Sequence, residues 1–260
     1  MSAQRQEKEM PFLDHLEELR WRLMWMIGTL VAGVLISFAL MIQFDVVGVL
    51  MRPIAPFLQG GRLVFTSPTD PFRIVMMSSV ALGGIFALPV IGWHVWAFLS
   101  PALYRHEKKV VIPVLLGATL LFMLGVALAF FVILPFTLRF LLGFQTESMA
   151  PMITASGYFG FAISVSLAFG AVFELPIVIV ALTSLGIVTP QMLTRFRRYA
   201  VVLCLIASAF ITPGGDPMTL LVMAGPLYLL YEVSIALSSL IHRRRVRRES
   251  RALAGEGAGA

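Results

Sequence analysis

Phe169-Gly-Ala-Val-Phe-Glu-Leu-Pro-Ile-Val-Ile-Val-Ala-Leu182 is an apolar run of the kind that spans a bilayer, and it carries one carboxylate, Glu174, near its middle. A charge in hydrocarbon costs about 3 kcal/mol on insertion scales, so such a residue faces a protein interior or a wet cavity and marks a functional position. Two residues later, Pro176 removes a backbone donor and bends the helix. The run therefore predicts a helical membrane protein with a concave face around a polar, intramembrane glutamate.

The composition of the whole chain is typical of a polytopic membrane protein. Of its 260 residues, 58% are hydrophobic and only 13% are charged, and the mean hydropathy is +0.89. Charged residues are thus about half as frequent as in soluble domains. The single cysteine excludes an internal disulfide, and the charged N-terminus argues against a cleavable signal peptide. The expected fold class is all-α.

Apolar runs predict six transmembrane helices. They are expected at about residues 23–43, 72–99, 110–138, 157–185, 199–212 and 218–231. The last two runs are each 14 residues long. At 1.5 Å per residue such a run measures about 21 Å against a hydrocarbon core of about 30 Å, so the last two helices are expected to be short. The alternative, that residues 234–240 complete a final helix of normal length, stays open.

The chain is expected to have three parts. Residues 1–22 form a cytoplasmic amphipathic segment, because four apolar side chains fall on one helical face. These four are Phe12, Leu16, Leu19 and Leu23. Residues 23–240 form the six-helix transmembrane domain. Residues 241–260 form a basic, disordered cytoplasmic tail.

The distribution of positive charge predicts the orientation. Sixteen of the 20 Lys and Arg residues lie in the N-terminal segment, the second and fourth connectors and the tail; the others are Arg52, Arg62, Arg73 and Arg139. Because positive charge collects on the cytoplasmic side, both termini are expected there. The same rule explains the net charge of +6 without a nucleic-acid partner, and the tail can touch anionic lipid. Residues 44–71 are then extracytoplasmic, and their apolar piece 46–51 predicts a short helical cap on the membrane.

The usual motifs of catalytic and metal sites are absent from the sequence. It contains no phosphate-binding glycine loop and no G-x-S-x-G elbow. His106-Glu107 lacks the second histidine of a zinc-binding H-E-x-x-H motif, and the four histidines are scattered along the chain. We therefore expect no catalytic residues, no metal site and no cofactor.

Carboxylates of the cytoplasmic side stand out because that side is otherwise basic. Glu17 and Glu18 lie in the N-terminal segment, and Glu107 lies in the first cytoplasmic connector. They are either ordinary solvated or paired surface charges, or an acidic pocket for an arginine-containing ligand. The second alternative has a chemical basis, since a carboxylate accepts a guanidinium at two points.

Four segments together carry a more specific pattern. They are His15-Leu-Glu-Glu-Leu-Arg-Trp-Arg22, Val95-Trp-Ala-Phe-Leu-Ser-Pro-Ala-Leu-Tyr-Arg-His-Glu107, Phe169-Gly-Ala-Val-Phe-Glu-Leu-Pro176 and Ile211-Thr-Pro-Gly-Gly-Asp216. In this order and spacing they resemble the signature segments of the TatC family, the six-span core of the twin-arginine protein translocase. The resemblance extends from about Phe12 to Glu232.

This resemblance implies a receptor and not an enzyme. TatC-like proteins recognise the paired arginines of a signal peptide at their cytoplasmic face. Carried over to this chain, Glu18 and Glu107 are the arginine-binding carboxylates, with Arg20 and Phe98 beside them. The implied partners are twin-arginine signal peptides of folded proteins, single-span TatA- and TatB-type proteins, and further copies of the chain within a larger complex. The implied location is the bacterial inner membrane, where the proton-motive force drives export.

Other positions match the family in the same way. Glu174 and Asp216 match its membrane-embedded polar contacts, and Pro53 matches a position in the first extracytoplasmic segment. Some relatives have a glutamine after the acidic residue, whereas this chain reads Pro-Met-Thr-Leu220, so Thr219 is the local substitute.

A different class of function remains as the alternative. Glu174 is then the coupling carboxylate of an ion-coupled secondary transporter. A third possibility is that Glu174 is a structural carboxylate that is hydrogen-bonded to neighbouring spans.

Overall fold

The structure is a computed structural model that describes the backbone of residues 12–58, 62–99, 111–143, 152–184, 186–212 and 217–257. Side chains are described for residues 16–58, 62–98, 114–143, 152–184, 186–212 and 217–243. Regular structure in these ranges is helical, apart from one isolated parallel bridge between Val64 and Thr154. The all-α expectation is therefore confirmed for the described chain.

The described ranges hold a succession of α-helices. They are α1 Phe12–Gln43, α2 Val46–Met51, α3 Asp70–Leu99, α4 Val111–Leu128, α5 Leu134–Gly143, α6 Ala155–Phe173, α7 Leu175–Ser184, α8 Pro190–Ile211 and α9 Pro217–Gly257. A π-helical turn, Ala129–Ile133, joins α4 to α5 just before Pro135, whose ring nitrogen has no hydrogen to donate. Helix α2 confirms the helix expected at residues 46–51.

Five helical stretches of the described chain are long and apolar enough to cross a membrane. They are Leu16–Gln43, Asp70–Phe98, Val114–Gly143, Ala155–Ser184 and Pro217–Arg243. Helix α8 is not among them, because its first half carries Arg195, Arg197 and Arg198 and only its second half is apolar. A six-span topology with α8 as the fifth span remains a prediction.

The expectation of a short span is wrong for α9, whereas for α8 it stays a prediction, because only the second half of α8 is apolar. Helix α8 has 22 residues, and α9 has 41, of which the apolar stretch Pro217–Arg243 comprises 27. The expected end of the last span was Glu232, but this carboxylate does not end the helix because it has partners. Arg197 Nη2 donates to Glu232 Oε2 at 2.8 Å, and the Tyr228 hydroxyl donates to Oε1 at 2.8 Å. The helix then continues through residues 234–240, as the alternative reading of the sequence expected.

The chain divides into two compact units, and the first contains the described residues of Met1–Asp45 and Val75–Leu116. In this unit α1 and α3 approach closely at two glycines. A Cβ atom at Gly33 would lie 2.7 Å from the carbonyl oxygen of Gly83. Arg22 precedes Gly33 by eleven positions and His94 follows Gly83 by eleven, and Arg22 contacts the His94 carbonyl. The two helices are therefore antiparallel.

The face that α1 turns toward its own unit carries charge. Its buried and half-buried positions include the stripe Glu18, Arg22, Met26, Thr29, Gly33, Ser37 and Met41, which recurs every three or four residues. By contrast, Leu16, Leu19 and Leu23 are 45%, 38% and 49% exposed. The apolar stripe that the sequence predicted thus points away from the rest of its unit, and the charges lie on the packing face. The amphipathic role of residues 1–22 stays a prediction.

The second unit contains the described residues of Val46–Ile74 and Gly117–Ala260, and α6 forms its centre. Val165 and Phe169 of α6 are fully buried in the apolar core. Helix α4 packs on α6 through an aromatic ring, because a Cβ atom at Gly170 would lie 2.7 Å from Cζ of Phe122. Thr154 starts α6 as its N-cap, where its hydroxyl accepts from the Gly157 amide at 3.3 Å.

The segment between α1 and α3 is attached to the start of α6. The Tyr158 hydroxyl donates to the Leu50 carbonyl at 2.7 Å, and Ile54 is completely buried in the core. The Val64 amide donates to the Ile153 carbonyl at 3.2 Å. These contacts explain why an apolar segment outside the expected spans is ordered.

The glycine contact in the first unit gives a test of the fold. Gly33→Ala is expected to lower the melting temperature, because the new methyl group would lie 2.7 Å from a backbone oxygen. Overpacking of this kind costs about 1–3 kcal/mol. Gly28→Ala is the matched control, since nothing lies within 4 Å of a Cβ atom there and alanine is the better helix former. Melting curves of the detergent-purified protein should therefore shift in opposite directions; a shared direction would contradict the close contact.

Candidate functional site

Glu18 on the packing face of α1 is paired with Arg22 one turn further along the helix. Arg22 Nε donates to Glu18 Oε1 at 3.0 Å, and Arg22 Nη2 donates to the same oxygen. Arg22 Nη1 also donates to the His94 carbonyl oxygen of α3 at 3.4 Å, a long hydrogen bond. The two charged side chains are mostly covered, with 21% of Arg22 and 24% of Glu18 exposed. This part of the first unit thus holds a guanidinium group between a carboxylate and a backbone carbonyl.

Each of these contacts has a physical reason. A glutamate four residues before a basic residue is the favourable order in a helix. Bonds from a guanidinium to a carboxylate are charge-assisted and are stronger than bonds between neutral groups. The His94 carbonyl lies near the C-terminal end of α3, where the helix dipole attracts positive charge. The site is therefore suited chemically to the head group of an arginine.

The structure brings only some of the predicted residues together. Phe98 is half-buried and lies one turn beyond His94, on the same face of α3. Arg20 is exposed and, two positions from Glu18, points to a different side of α1. Glu107 lies outside the described residues. Arg22 and the His94 carbonyl were missed by the sequence reasoning, although the four-residue spacing of Glu18 and Arg22 was a signal for the pair.

Tryptophans surround this part of the first unit. All four tryptophans of the chain lie there: Trp21 and Trp25 on α1, and Trp93 and Trp96 on α3. Trp21 and Trp25 are each 60% exposed, and Trp93 is 47% exposed. Tryptophan is enriched where a membrane meets water. This signal was also available in the sequence, and it favours an interfacial depth for Glu18.

Glu174 lies at the break between α6 and α7. Helix α6 ends at Phe173 and α7 begins at Leu175, because Pro176 has no amide hydrogen for the Val172 carbonyl. The Glu174 amide instead donates to the Ala171 carbonyl at 3.2 Å, and the Glu174 carbonyl accepts from Ile177 at 3.0 Å. The α-helix is thus interrupted next to the proline, where the sequence predicted a bend.

The Glu174 side chain is half-buried in a membrane-length apolar stretch. Within the described part of the chain, no group donates a hydrogen bond to its carboxylate and no cation pairs with it. The described residues thus give no support to a structural role through hydrogen bonds to neighbouring spans. Its role as a polar contact, and the concave face around it, stay predictions.

The other predicted positions have different surroundings. Pro53 is buried in the turn after α2. Thr219 is completely buried in the second unit, so its side chain is covered by the chain itself. Asp216 lies outside the described residues. The roles proposed for these three residues stay predictions.

Polar contacts that sequence reasoning missed join the last three helices. Besides the pair of Arg197 and Glu232 at 2.8 Å, the hydroxyls of Thr183 and Ser238 lie 2.8 Å apart in a buried contact between α7 and α9. The Tyr231 hydroxyl donates to the Leu193 carbonyl of α8 at 2.7 Å. Pairs 35 or 55 positions apart cannot be matched from local patterns.

Comparisons with known proteins agree with the pattern of segments. A family model described as "Sec-independent protein translocase protein (TatC)" matches residues 14–226. The TatC protein of Aquifex aeolicus (strain VF5) is 42% identical over 238 residues, which cover 91% of this chain and 98% of that protein. TatCd of Bacillus subtilis (strain 168) is 34% identical, with 95% and 99% covered.

A solved structure is similar as well. The crystal structure of the "Twin Arginine Translocase Receptor- TatC" is 42% identical, covers 87% of this chain and 98% of its own, and gives a TM-score of 0.75. The range matched by the family model, residues 14–226, includes Glu18, Phe98 and Glu174.

The unpaired carboxylate gives a second test. Glu174→Leu is expected to leave the melting temperature unchanged or raise it, because the variant removes a charge from an apolar stretch without breaking a described contact. Thr183→Val is the comparison, since it deprives Ser238 of a buried partner at 2.8 Å and should destabilise by about 1–2 kcal/mol. Melting curves in detergent measure both. A loss for Glu174→Leu as large as that for Thr183→Val would indicate a structural carboxylate.

Proposed function

Because the chain belongs to the TatC family of Sec-independent protein translocase proteins, we propose that it is the receptor subunit of a twin-arginine translocase. It binds the paired arginines of signal peptides at the cytoplasmic face of the bacterial inner membrane. Glu18 accepts one arginine and Glu107 the other, while Arg20 and Phe98 lie along the peptide. Two adjacent arginines need two separately placed carboxylates, which an N-terminal helix and a distant connector supply.

The observation that carries this proposal is the pairing of Glu18. This carboxylate already accepts a guanidinium group on the packing face of α1, through Nε at 3.0 Å and through Nη2 of Arg22. With 24% of its side chain exposed, Glu18 is not a fully solvated surface glutamate. The exposed tryptophans at the same level support a site at the membrane interface, where a signal peptide arrives from the cytoplasm.

The proposal includes the assembly and the topology. Six spans place both termini in the cytoplasm, with α8 as the fifth span and Pro53 in an extracytoplasmic cap. Single-span TatA- and TatB-type partners and further copies of the chain assemble around it, and the proton-motive force drives export of folded proteins. Glu174, Asp216 and Thr219 provide polar contacts within the membrane. The receptor carries out no chemical reaction of its own.

An ion-coupled transporter with Glu174 as its coupling carboxylate has less support. The relatives matched over nearly their whole length are named as protein translocase components, which is a different class. The receptor hypothesis is therefore the one that we develop.

The proposal predicts that Glu18→Gln strongly weakens binding of a twin-arginine signal peptide, and that Glu107→Gln does the same. Glutamine keeps the size of the side chain but loses the charge, and charge-assisted bonds contribute about 1.5–3 kcal/mol each, or roughly tenfold to a hundredfold in affinity. Photo-crosslinking of a labelled peptide to the purified full-length protein measures the loss.

Glu17→Gln is the matched control, because Glu17 is exposed and lies about 100° around α1 from Glu18. It should bind the peptide like the parent protein. A peptide with Lys-Lys in place of Arg-Arg should crosslink weakly to the parent protein. Full crosslinking of Glu18→Gln and Glu107→Gln would overturn the assignment of these carboxylates.

A further inference from the structure

We propose that Arg22 is an internal occupant of the Glu18 site, which the arginine of an arriving peptide must displace. This inference rests on the proposed function and adds a resting state to it. In that state Glu18 is engaged by the chain's own guanidinium group. The site is therefore closed to weak cationic ligands, and it opens only for one that replaces Arg22.

The geometry supports occupation and not a chance surface pair. Arg22 directs Nε and Nη2 to one oxygen of Glu18 and Nη1 to the His94 carbonyl, so all three of its nitrogen atoms are engaged. Both side chains lie on the packing face of α1 and are less than one quarter exposed, at 21% and 24%. An incoming guanidinium group would make the same bonds that Arg22 makes. The two groups therefore compete for one carboxylate oxygen.

The pair of Glu18 and Arg22 also lowers the cost of keeping a half-buried carboxylate at the membrane interface. A half-buried carboxylate without a partner is costly, and the cost rises as water is excluded. Arg22 is held four residues away on the same helix, so it can return to Glu18 when the peptide leaves. Occupation by Arg22 thus stabilises the empty receptor and favours release of the peptide.

Displacement of Arg22 predicts a different result from a role in which Arg22 only holds Glu18 in position. If Arg22 must leave, its removal tightens the binding of every ligand that uses Glu18 by the same factor. We expect Arg22→Gln to lower the Kd of a twin-arginine peptide by about three- to tenfold, which is the range of a partly covered ion pair. The Lys-Lys peptide should gain by the same factor, so the ratio of the two affinities is unchanged.

Arg22→Lys separates displacement from simple repulsion between positive charges. Lysine keeps the charge but loses the planar fork, so it competes less well for Glu18. Displacement predicts that Arg22→Lys binds the peptide with an affinity between those of the parent protein and Arg22→Gln. A Kd for Arg22→Lys equal to that of the parent protein, beside a lower Kd for Arg22→Gln, would attribute the effect to charge alone and overturn the inference.

The experiment is a titration of fluorescent Arg-Arg and Lys-Lys signal peptides against the full-length protein in lipid nanodiscs. Arg197→Gln is the matched control, since it breaks another arginine–glutamate pair, at 2.8 Å, between α8 and α9. It should leave both affinities unchanged. Melting curves check that each variant is folded. Weaker or unchanged binding by folded Arg22→Gln would overturn the inference.

The double variant Glu18→Gln/Arg22→Gln shows whether Arg22 acts through Glu18. On the Glu18→Gln background, Arg22→Gln should have no further effect, because no carboxylate remains to compete for. If Glu18→Gln itself leaves binding intact, the proposed receptor site fails and the inference fails with it. If Glu18→Gln weakens binding but Arg22→Gln does not strengthen it, only the inference fails.

Discussion

The constraint on which the rest of the structure depends is that polar groups inside a bilayer must find partners within the protein. Hydrocarbon offers no hydrogen bonds, so each unmatched group costs several kcal/mol. Helix α9 illustrates the consequence: it passes Glu232 without ending because Arg197 of α8 pairs with that carboxylate at 2.8 Å. Six residues further along the same helix, the hydroxyl of Ser238 lies 2.8 Å from the hydroxyl of Thr183 of α7. Polar side chains thus join the last three helices. Apolar side chains would favour these contacts less, because they can pack equally well on lipid.

The sequence predicted the positions of most helices because hydrophobic length is a local property. The helix break next to Pro176 and the helix at 46–51 were likewise visible in local patterns. The length of α9 could not be predicted in this way. Glu232 resembles the end of a membrane span unless its partner Arg197, 35 positions away, is known. The outward direction of Leu16 and its neighbours is a different case, because the amphipathic pattern of the N-terminal segment does not by itself say what its apolar face contacts. In lipid the apolar face points out and the polar face packs, which reverses the rule for water-soluble helices.

That reversal explains the candidate site. Glu18 and Arg22 occupy the face of α1 that continues into Gly33 and Ser37, and the absence of a side chain at Gly33 lets α3 approach. The glycine contact brings the helices together, and the end of α3 then supplies the His94 carbonyl to Arg22. The family resemblance identified Glu18 but not the groups that surround it. Those groups depend on the packing of two helices that are far apart in sequence.

Glu174 differs from Glu18 and Glu232, the other two half-buried glutamates of the described chain, and the difference has a meaning. Glu18 and Glu232 each have an arginine partner, whereas within the described residues Glu174 has none. A paired carboxylate can be kept for stability, but an unpaired one in an apolar stretch lowers stability. A stability argument therefore cannot account for Glu174. The break between α6 and α7 places the carboxylate where the regular helix is interrupted. Under the proposed function, a signal peptide or a partner helix supplies the donor that Glu174 does not find among the described residues.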